Sequence, residues 1–211
     1  MDIPLAHRWL DAVAHAVADR ADHLTQLDSA IGDADHGVNL TRGFAAVSEA
    51  LEGYDPQTVG DVFVRAGATL ISKVGGASGP LYGSAFRAIG KALPGPTCTA
   101  TEFGAALRAG LDAVQRLGAA SPGDKTMVDA YAPAVAAFQL AEEPFAAKAS
   151  AAAAAADEGM RATVAMQARK GRASYLGPRS VGHQDPGATS TSLIFTALAE
   201  VTAGTPLAGD P

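Results

Sequence analysis

Three aspartates lie within eight positions of one short segment, Leu27 to Asn39, and no lysine or arginine accompanies them. They are Asp28, Asp33 and Asp35. Carboxylates this close repel one another, so a fold that gathers them needs a counter-charge. All-oxygen ligation suits a hard divalent cation, and Mg²⁺ held by carboxylates usually brings a phosphate with it. The segment therefore points to a phosphoryl-transfer site.

The residues around the aspartates predict how they are positioned. Leucine and isoleucine at helical intervals place Asp28 near the end of a helix, and Gly32 breaks the period as a C-terminal glycine does. Asp33 and Asp35 alternate along the chain, so their side chains can point the same way if this loop is extended. An alternative stays open at this point, in which Asp33 and Asp35 serve only as helix N-caps and turn formers.

The segment after the aspartates begins a second helix. Gly37 precedes a new apolar period, so this helix opens at His36-Gly37, and its free backbone N–H groups can receive phosphate oxygens. A calcium-binding EF-hand is excluded, because the twelfth loop position counted from Asp33 is Phe44 and no bidentate glutamate is available.

Composition limits the class of protein. The chain has 211 residues with 22 acidic and 16 basic side chains and a net charge of −6, which fits one domain over residues 1–211. Nothing is basic enough to suggest nucleic-acid binding, and the sequence shows no signal pattern or membrane-spanning apolar stretch. The single cysteine, Cys98, excludes a disulfide framework and favours a reducing compartment. We expect a cytoplasmic protein without nucleic-acid or membrane partners.

Apolar periodicity predicts an all-α protein. About eight principal helices follow one another, and no stretch shows the sustained period-two alternation of a strand. The alanine run at residues 151–156 fits a tightly packed helix, because alanine is the best helix former. Short connections imply antiparallel neighbours, so the expected fold is an eight-helix up-and-down bundle or closed barrel.

The loop from Gly75 to Pro80 is rich in small residues and leads into the next helix. Small residues let backbone N–H groups approach an anion closely, and Ser78 adds a hydroxyl. This loop is a candidate phosphate cradle at a helix N-terminus, with a plain interhelical turn as the alternative.

The loop from Gly118 to Thr126 resembles a P-loop but lacks its pattern. Asp124 separates Gly123 from the Lys-Thr pair, and no strand precedes the loop, as a P-loop requires. We therefore interpret it as a connection between helices, with Asp124 as an N-cap.

The segment from Arg169 to Gly187 has no helical period and is the longest predicted loop. It carries four basic residues in an otherwise acidic chain, which favours phosphate recognition. A loop this long inside a compact domain is usually functional or disordered. His183 could act as a base, although a lone loop histidine is more often a hydrogen-bonding or surface group. The triplet Asp185-Pro186-Gly187 predicts a turn before the last helix.

Four motifs occur in the order in which one known family has them. They read G-D-A-D-H-G from Gly32, G-G-A-S-G-P-L-Y-G from Gly75, G-D-K-T-M from Gly123, and M-Q-A-R-K-G-R-A-S-Y-L-G-P-R-S-V-G-H-Q-D-P-G-A-T-S from Met166. With these motifs the chain resembles the DhaL-type nucleotide-binding subunits of bacterial dihydroxyacetone kinases of the phosphotransferase-system type. The resemblance implies an eight-helix antiparallel barrel, with ADP or ATP and two Mg²⁺ ions in the loops at one end.

The resemblance also assigns residues to the site. It implies that Asp28, Asp33 and Asp35 ligate the two Mg²⁺ ions, and that Gly118 and Met127 flank the adenine. The residues that it places around the nucleotide are His36, Gly37, Val38, Asn39, Ala77, Ser78, Gly118, Met127, Arg172, Asp185, Pro186 and Gly187. No side chain is implied to be a covalent nucleophile.

For function, the resemblance implies in-line phosphoryl transfer to dihydroxyacetone held on a separate DhaK-type subunit. In one form of the system ADP stays bound, and a phosphohistidine subunit, DhaM, rephosphorylates it at the expense of phosphoenolpyruvate. In the other form ATP exchanges from solution. The chain begins directly with its first helix, which favours the phosphotransferase form and leaves the ATP-dependent form as the alternative. A homodimer is also expected.

Two interpretations from other classes stay open. The protein could be a nucleotide-state sensor that binds a transcription regulator through the same loop surface, although an intact set of three aspartates favours transfer chemistry. A metal-binding helical bundle without a nucleotide is disfavoured by the glycine-rich loops and Arg172.

Overall fold

The computed structural model describes residues 1–204, in which nine α-helices follow one another. They are α1 (Ile3–Asp19), α2 (Ala21–Ile31), α3 (His36–Leu51), α4 (Val59–Lys73), α5 (Ser78–Lys91), α6 (Ala100–Gly118), α7 (Val128–Leu140), α8 (Phe145–Ala162) and α9 (Pro186–Thr202). Two 3₁₀ segments, Thr163–Ala165 and Arg172–Ser180, lie between α8 and α9. The all-α prediction is confirmed over this part of the chain. Residues 205–211 of the predicted domain lie outside the described residues.

Across residues 1–204 no strand forms, and one isolated antiparallel bridge joins Asp2 to Thr97. None of the helices in this range is long and apolar enough to cross a bilayer. Asp2, which takes part in that bridge, is also the N-cap of α1, since its Oδ1 accepts the N–H of Leu5 at 2.8 Å.

Eight of these helices form a closed ring. From α3 to α9 each helix packs against the next, and α1 closes the ring by packing against both α9 and α3. Neighbours run antiparallel, as in α4 and α5, where Gly60 at the start of one helix lies against Gly90 at the end of the other. The remaining helix, α2, lies outside the ring and packs against α3 and α9. It is separate from α1 because the chain leaves helical geometry at Arg20. The eight-helix barrel is confirmed, with α2 as an addition.

Small residues allow the helices to approach closely. A Cβ atom at Gly60 would lie 2.3 Å from the carbonyl oxygen of Gly90, and one at Gly159 would lie 2.1 Å from that of Asp129. The alanine run at 151–156 lies inside α8, as predicted, and packs between α7 and α9. Larger side chains there would force these helices apart.

Aromatic side chains fill the interior of the ring. The Trp9 ring centroid lies 5.5 Å from that of Phe63 and 5.8 Å from that of Phe103. Trp9 Nε1 donates a hydrogen bond to the Ile194 carbonyl oxygen at 2.9 Å, which ties α1 to α9 where the ring closes. The interior of the ring is therefore a packed core. A cavity lies among the loops at one end of the ring.

The segment predicted as the longest loop is partly helical. Arg172–Ser180 forms a 3₁₀ segment that is interrupted at Gly177, whose φ of +56° suits glycine. Leu176 packs with Ile31 and so attaches this segment to α2, whereas Tyr175 is 88% exposed. The loop prediction was wrong for this stretch, because short 3₁₀ turns leave no 3.6-residue period in the sequence.

The triplet predicted as a turn before the last helix is the start of that helix. Asp185 is the N-cap of α9, and its Oδ2 accepts the N–H of Ala188 at 2.7 Å. Pro186 takes the first helical position, where a missing N–H breaks no hydrogen bond. The sequence motif thus positions α9 as well as ending the segment before it.

Candidate functional site

Loops from four parts of the chain meet at one end of the ring around a cavity of about 280 Å³. They are the acidic loop between α2 and α3, the glycine-rich loop before α5, the loop between α6 and α7, and the stretch that contains the start of the second 3₁₀ segment and the start of α9. The four motifs singled out in the sequence therefore line one space, although they lie far apart in the chain.

The three aspartates lie together in the wall of this cavity. One carboxylate oxygen from each of Asp28, Asp33 and Asp35 lies within 4.8 Å of the other two. Asp28 is buried, whereas Asp33 and Asp35 are exposed. The condition of an extended loop is not met, because Ala34 has a left-handed φ of 61° that turns the chain between Asp33 and Asp35. Three acceptor-only carboxylates at this spacing fit a hard divalent cation.

Asp28 also organises the acidic loop. Its Oδ2 accepts the N–H of Asp35 at 2.9 Å and that of His36 at 3.2 Å, so it caps α3. The side chain of Asp35, at the N-cap position, makes no capping hydrogen bond. A Cβ at Gly32 would lie 2.0 Å from Oδ1 of Asp28, which explains the glycine. The simple N-cap interpretation of Asp35 was therefore wrong, since Asp28 takes that role.

Arg172 brings a positive charge to the acidic side of the cavity. Its guanidinium lies 2.9 Å from Oδ2 of Asp33, and the two side chains are 68% and 37% exposed. An exposed pair of this kind contributes little to stability. The contact therefore places Arg172 beside the acidic cluster without a strong bond that a ligand would have to break. A guanidinium in this position can contact phosphate oxygens.

The glycine-rich loop lines the cavity beside the aspartates. Ala77 and Ser78 lie in its wall where α5 begins. Ser78 Oγ lies 3.2 Å from Nδ1 of His36, which is itself buried in the wall. Burial lowers the pKa of His36, although the carboxylates of Asp28 and Asp35 act in the opposite direction. This wall ends at a helix N-terminus, where N–H groups favour an anion.

Apolar side chains also line the cavity. Leu81, Val114 and Val128 line it together with Gly118, the last residue of α6, and Met127, which is buried. A thioether between aliphatic side chains adapts to a flat ring, and a glycine leaves room beside it. The lining therefore combines charged groups that suit phosphates with apolar side chains that suit a base.

A polar cluster in the cavity wall was missed by sequence reasoning. Lys125 is 1% exposed, and its Nζ donates to the carbonyl oxygens of Thr163 and His183. Its φ of 60° is unusual for lysine. The sequence showed this lysine only within a rejected P-loop pattern, and nothing there indicated burial. His183, considered as a base, contributes its main chain to this contact.

Two aspartates accompany Lys125. Burial raises the pKa of Asp185 to about 7, although the hydrogen bond from Ala188 and the charge of Lys125 act in the opposite direction. Burial likewise lowers the pKa of Lys125, against the effect of the Asp185 and Asp129 carboxylates. This cluster joins the loop before α7 to the start of α9.

The loop before α7 is held by Asp129 and not by Asp124. Asp129 Oδ2 accepts the N–H of Thr126 at 2.7 Å, at the entry to the helix. Asp124 was predicted as an N-cap, but its carboxylate accepts the N–H of Ser121 at 2.9 Å and closes the preceding turn. The N-cap position itself belongs to Met127.

Three predicted residues do not line the cavity. Gly37 packs under α2, since a Cβ there would lie 2.0 Å from the Ala21 carbonyl oxygen. Val38 is 60% exposed, and Asn39 accepts a hydrogen bond from Arg42 at 2.8 Å. The predicted residues that do line it are Asp28, Asp33, Asp35, His36, Ala77, Ser78, Gly118, Met127, Arg172, Asp185, Pro186 and Gly187.

Comparison with known sequences shows the family of the chain. The DAK2 domain family matches residues 30–200 of the chain. Over 197 residues the chain is 44% identical to the PEP-dependent dihydroxyacetone kinase, ADP-binding subunit DhaL, of Escherichia coli, with 90% of this chain and 93% of the relative covered. Over 196 residues it is 42% identical to the PEP-dependent dihydroxyacetone kinase 1, ADP-binding subunit DhaL, of Listeria innocua, with 92% and 93% covered.

Comparison with solved structures agrees as well. The chain is similar to the dihydroxyacetone kinase from C. freundii in complex with AMP-PNP and Mg²⁺, with a TM-score of 0.75 and 27% identity. The match covers 95% of this chain and 34% of that kinase, so the chain spans about a third of the kinase's length. From its sequence match, its identities and its fold, the chain belongs to the DAK2 domain family, among the DhaL-type subunits.

Proposed function

We propose that this chain is the ADP/ATP-binding subunit of a PEP-dependent dihydroxyacetone kinase. In this function a DhaM-type phosphohistidine subunit phosphorylates bound ADP, and the phosphoryl group then passes to dihydroxyacetone on a DhaK-type subunit. The observation that carries the proposal is the cavity itself, which is lined by three converging carboxylates, a glycine-rich loop and a set of apolar side chains. The relatives named as ADP-binding subunits support it over nearly the whole chain.

The acidic cluster has the donor set that Mg²⁺ requires. We place two Mg²⁺ ions on Asp28, Asp33 and Asp35, which offer only oxygen ligands within 4.8 Å of one another. When bound, the ions neutralise charge on the phosphates during in-line transfer. The chain's own part is to hold Asp28 in place through its hydrogen bonds to the main chain, while exposed Asp33 and Asp35 face the ligand. The solved AMP-PNP and Mg²⁺ complex of a structural relative supports the metal and the nucleotide.

We place the nucleotide along the cavity, with the phosphates beside His36, Ala77 and Ser78 and the base between Gly118 and Met127. Arg172 lies beside the phosphate end, where its guanidinium can hold phosphate oxygens. The residues that close the cavity at the start of α9 are Asp185, Pro186 and Gly187. None of these side chains needs to form a covalent bond to the phosphoryl group.

The three predicted residues outside the cavity lining have roles other than side-chain contact in this proposal. Gly37 and Val38 belong to the first turn of α3, so they act through main-chain N–H groups. Asn39 lies beside the phosphate loop, since a Cβ at Gly75 would be 3.3 Å from its Oδ1. Asn39 therefore supports the glycine-rich loop by lying against it.

We further propose that residues 1–211 form a single domain that acts in the cytoplasm. The closed ring supports the domain proposal, because every helix of the described residues packs against it. The homodimer stays a prediction. A second candidate function is the nucleotide subunit of an ATP-dependent dihydroxyacetone kinase, favoured by the similarity to a longer kinase that binds an ATP analogue.

The nucleotide content of the purified protein tests the proposal. After extensive dialysis in Mg²⁺, acid extraction should release ADP at close to one per chain, because a coenzyme-like nucleotide does not exchange freely. Dialysis against EDTA in place of Mg²⁺ should remove it, since the phosphates are held through the metal. Protein that emerges empty but binds and exchanges added ATP would instead favour the ATP-dependent function. Protein that binds neither nucleotide would overturn both.

The same extraction on Asp33→Asn protein separates specific from adventitious retention. The substitution keeps the size of the side chain but removes the charge that holds the metal, so ADP should be lost during dialysis even in Mg²⁺. Asp157→Asn is the matched control, since Asp157 lies on the surface of α8 in an ion pair with Arg161. This control should retain as much ADP as the wild type.

A further inference from the structure

Buried hydroxyls connect the glycine-rich loop to α9 through His36. Ser78 Oγ, in the cavity wall, lies 3.2 Å from Nδ1 of His36, and Nε2 of the same ring lies 2.9 Å from Ser190 Oγ. Ser190 Oγ then lies 2.7 Å from the hydroxyl of Tyr82. Ser190 is 0% exposed and His36 is 8% exposed. Three elements, α3, α5 and α9, thus meet in one chain of hydrogen bonds.

The chain of hydrogen bonds ends at the segment that closes the cavity. The Tyr82 hydroxyl lies 2.8 Å from Thr191 Oγ1, and Thr191 donates to the Gly187 carbonyl oxygen at 2.8 Å. Buried hydroxyls that are all paired fix one geometry, because each unpaired group would cost free energy. We name the set Ser78, His36, Ser190, Tyr82 and Thr191 the relay.

The relay can hold its protons in two arrangements, because a neutral imidazole carries one N–H. In the first, Ser78 donates to Nδ1 of His36, Nε2 donates to Ser190, and Ser190 donates to the carbonyl oxygen of Pro186 or Gly187, each at 3.1 Å. In the second, Ser190 donates to Nε2, and Nδ1 donates to Ser78. Only the second leaves the Ser78 O–H free to point into the cavity. In that arrangement Tyr82 donates to Ser190, so every hydroxyl keeps a partner.

We propose that Ser190 and Tyr82 are positioning residues for the nucleotide phosphates, acting through His36 to make the Ser78 hydroxyl a donor into the cavity. The inference rests on the proposed function, since its ligand is the phosphate end of a nucleotide. An anion beside Ser78 selects the second arrangement, because it accepts a hydrogen bond and cannot donate one. Tyr82 also lines the cavity, whereas Ser190 does not. The influence of Ser190 on a ligand therefore passes through the relay.

Ser190→Ala tests the proposal in the full chain, freed of nucleotide by EDTA and returned to Mg²⁺. Binding of ADP and of adenosine is measured by titration calorimetry. The variant should bind ADP about 3- to 10-fold more weakly, the effect of one neutral hydrogen bond, with adenosine affinity unchanged. Ser192→Ala is the matched control, because Ser192 is a buried serine of the same helix outside the relay. It should leave both affinities unchanged.

A double-mutant cycle with Ser78→Ala tests whether Ser190 acts through Ser78. The Ser190→Ala change should have no further effect on ADP affinity once the Ser78 hydroxyl is gone, so the two losses should not add. Additive losses would overturn the relay, and so would an equal loss of ADP and adenosine affinity. If Ser190→Ala melts well below Ser192→Ala, the same double-mutant cycle is made with Tyr82→Phe against Tyr131→Phe, a buried tyrosine outside the relay. The cycle is needed because Tyr82 also lines the cavity, and only a loss that depends on the Ser78 hydroxyl supports the relay.

The outcomes also separate this inference from the proposed function. A wild-type chain that binds Mg²⁺-ADP tightly, with variants that bind it equally well, overturns the relay alone. A wild-type chain that does not bind ADP in Mg²⁺ overturns the proposed function and the relay with it.

Discussion

Two groups of carboxylates, one in the cavity wall and one reaching from it into the fold, are built in opposite ways. Asp28, Asp33 and Asp35 share one space, and two of the three are exposed beside an arginine that is exposed as well. Asp129 and Asp185 lie buried around Lys125, and main-chain N–H groups bind their oxygens. The first group leaves oxygen lone pairs available to a ligand, whereas the second uses them within the fold.

Because of this difference, substitutions in the two groups should have different effects, on ligand binding in the first and on stability in the second. Removing a charge from the acidic cluster relieves repulsion in the free protein and should affect its ligands above all. Removing one from the buried group leaves polar atoms without partners in a dry environment, and should therefore affect folding. Substitutions in the two groups give the comparison its tests.

The largest effect is expected for Asp33→Asn. Phosphoryl transfer to dihydroxyacetone, measured with the partner subunits present, should fall by at least about 1000-fold, because the metal supplies several kcal/mol of transition-state stabilisation. The melting temperature of the nucleotide-free protein should change little, since the Arg172 pair that is lost is exposed. Activity within about 10-fold of the wild type would contradict the metal assignment.

Asp28→Asn sharpens that test within the same cluster. Asp28 accepts two main-chain N–H groups at the start of α3, and an amide oxygen is a weaker acceptor than a carboxylate. This variant should lose transfer and also lower the free energy of unfolding by about 1 kcal/mol. Denaturant unfolding of the nucleotide-free proteins measures the difference. Equal stabilities of the Asp28 and Asp33 variants would contradict the capping role of Asp28.

In the buried group, Lys125→Met should destabilise the fold strongly. The carbonyl oxygens of Thr163 and His183 lose their ammonium donor, and each buried group left unpaired costs about 1–3 kcal/mol. Lys148→Met is the control, because Lys148 is only partly buried and donates to one carbonyl oxygen, that of Ala141. A loss for Lys125→Met no greater than the control's would show that the buried contact contributes nothing to stability.

Asp185→Asn should change how stability depends on pH. The folded pKa of about 7 lies above the ordinary aspartate value of 3.8, so the folded state keeps a proton that the unfolded state releases. Wild-type stability attributable to this group is therefore lost as pH rises from about 4 to 7, with a slope of up to about 1.4 kcal/mol per pH unit. An asparagine side chain cannot titrate, so the stability of the variant relative to the wild type should rise across this window. Asp112→Asn, on the surface of α6, controls for the loss of one negative charge.

The acidic cluster was predictable from the sequence and the buried group was not, for a physical reason. Asp28, Asp33 and Asp35 are neighbours in the chain, so composition alone shows that their charges need a partner. Lys125 meets the His183 carbonyl oxygen across 58 positions, and the packing of α7, α8 and α9 brings them together. No local pattern reports a contact of that range.

The fold shows the same division between local and distant information. Helices were predicted because their apolar faces repeat along the chain, and α8 could be predicted from its alanines. The break at Arg20 was not, since no glycine or proline marks it. The 3₁₀ segment Arg172–Ser180 was missed because its turns are too short to show a period and include Gly177 and Pro178. Its place against α2 depends on Ala173 and Leu176, which pack in one cluster with Ile31 and are too few to show a period.

The smallest effect on stability is expected for Arg172→Gln, in the contact that links the acidic cluster to the 3₁₀ segment. Because the ion pair with Asp33 is exposed, its loss should change the free energy of unfolding of the nucleotide-free protein by less than about 1 kcal/mol. Affinity for ADP in Mg²⁺ should nevertheless fall about 10-fold, since a hydrogen bond to a charged phosphate is worth more than one to a neutral group. Arg108→Gln is the control, because Arg108 forms a comparable exposed pair with Asp112 on α6. A large loss of stability with unchanged ADP affinity would contradict this prediction. Arg172 would then be a structural residue, like the buried carboxylates, and not a ligand-binding residue beside the acidic cluster.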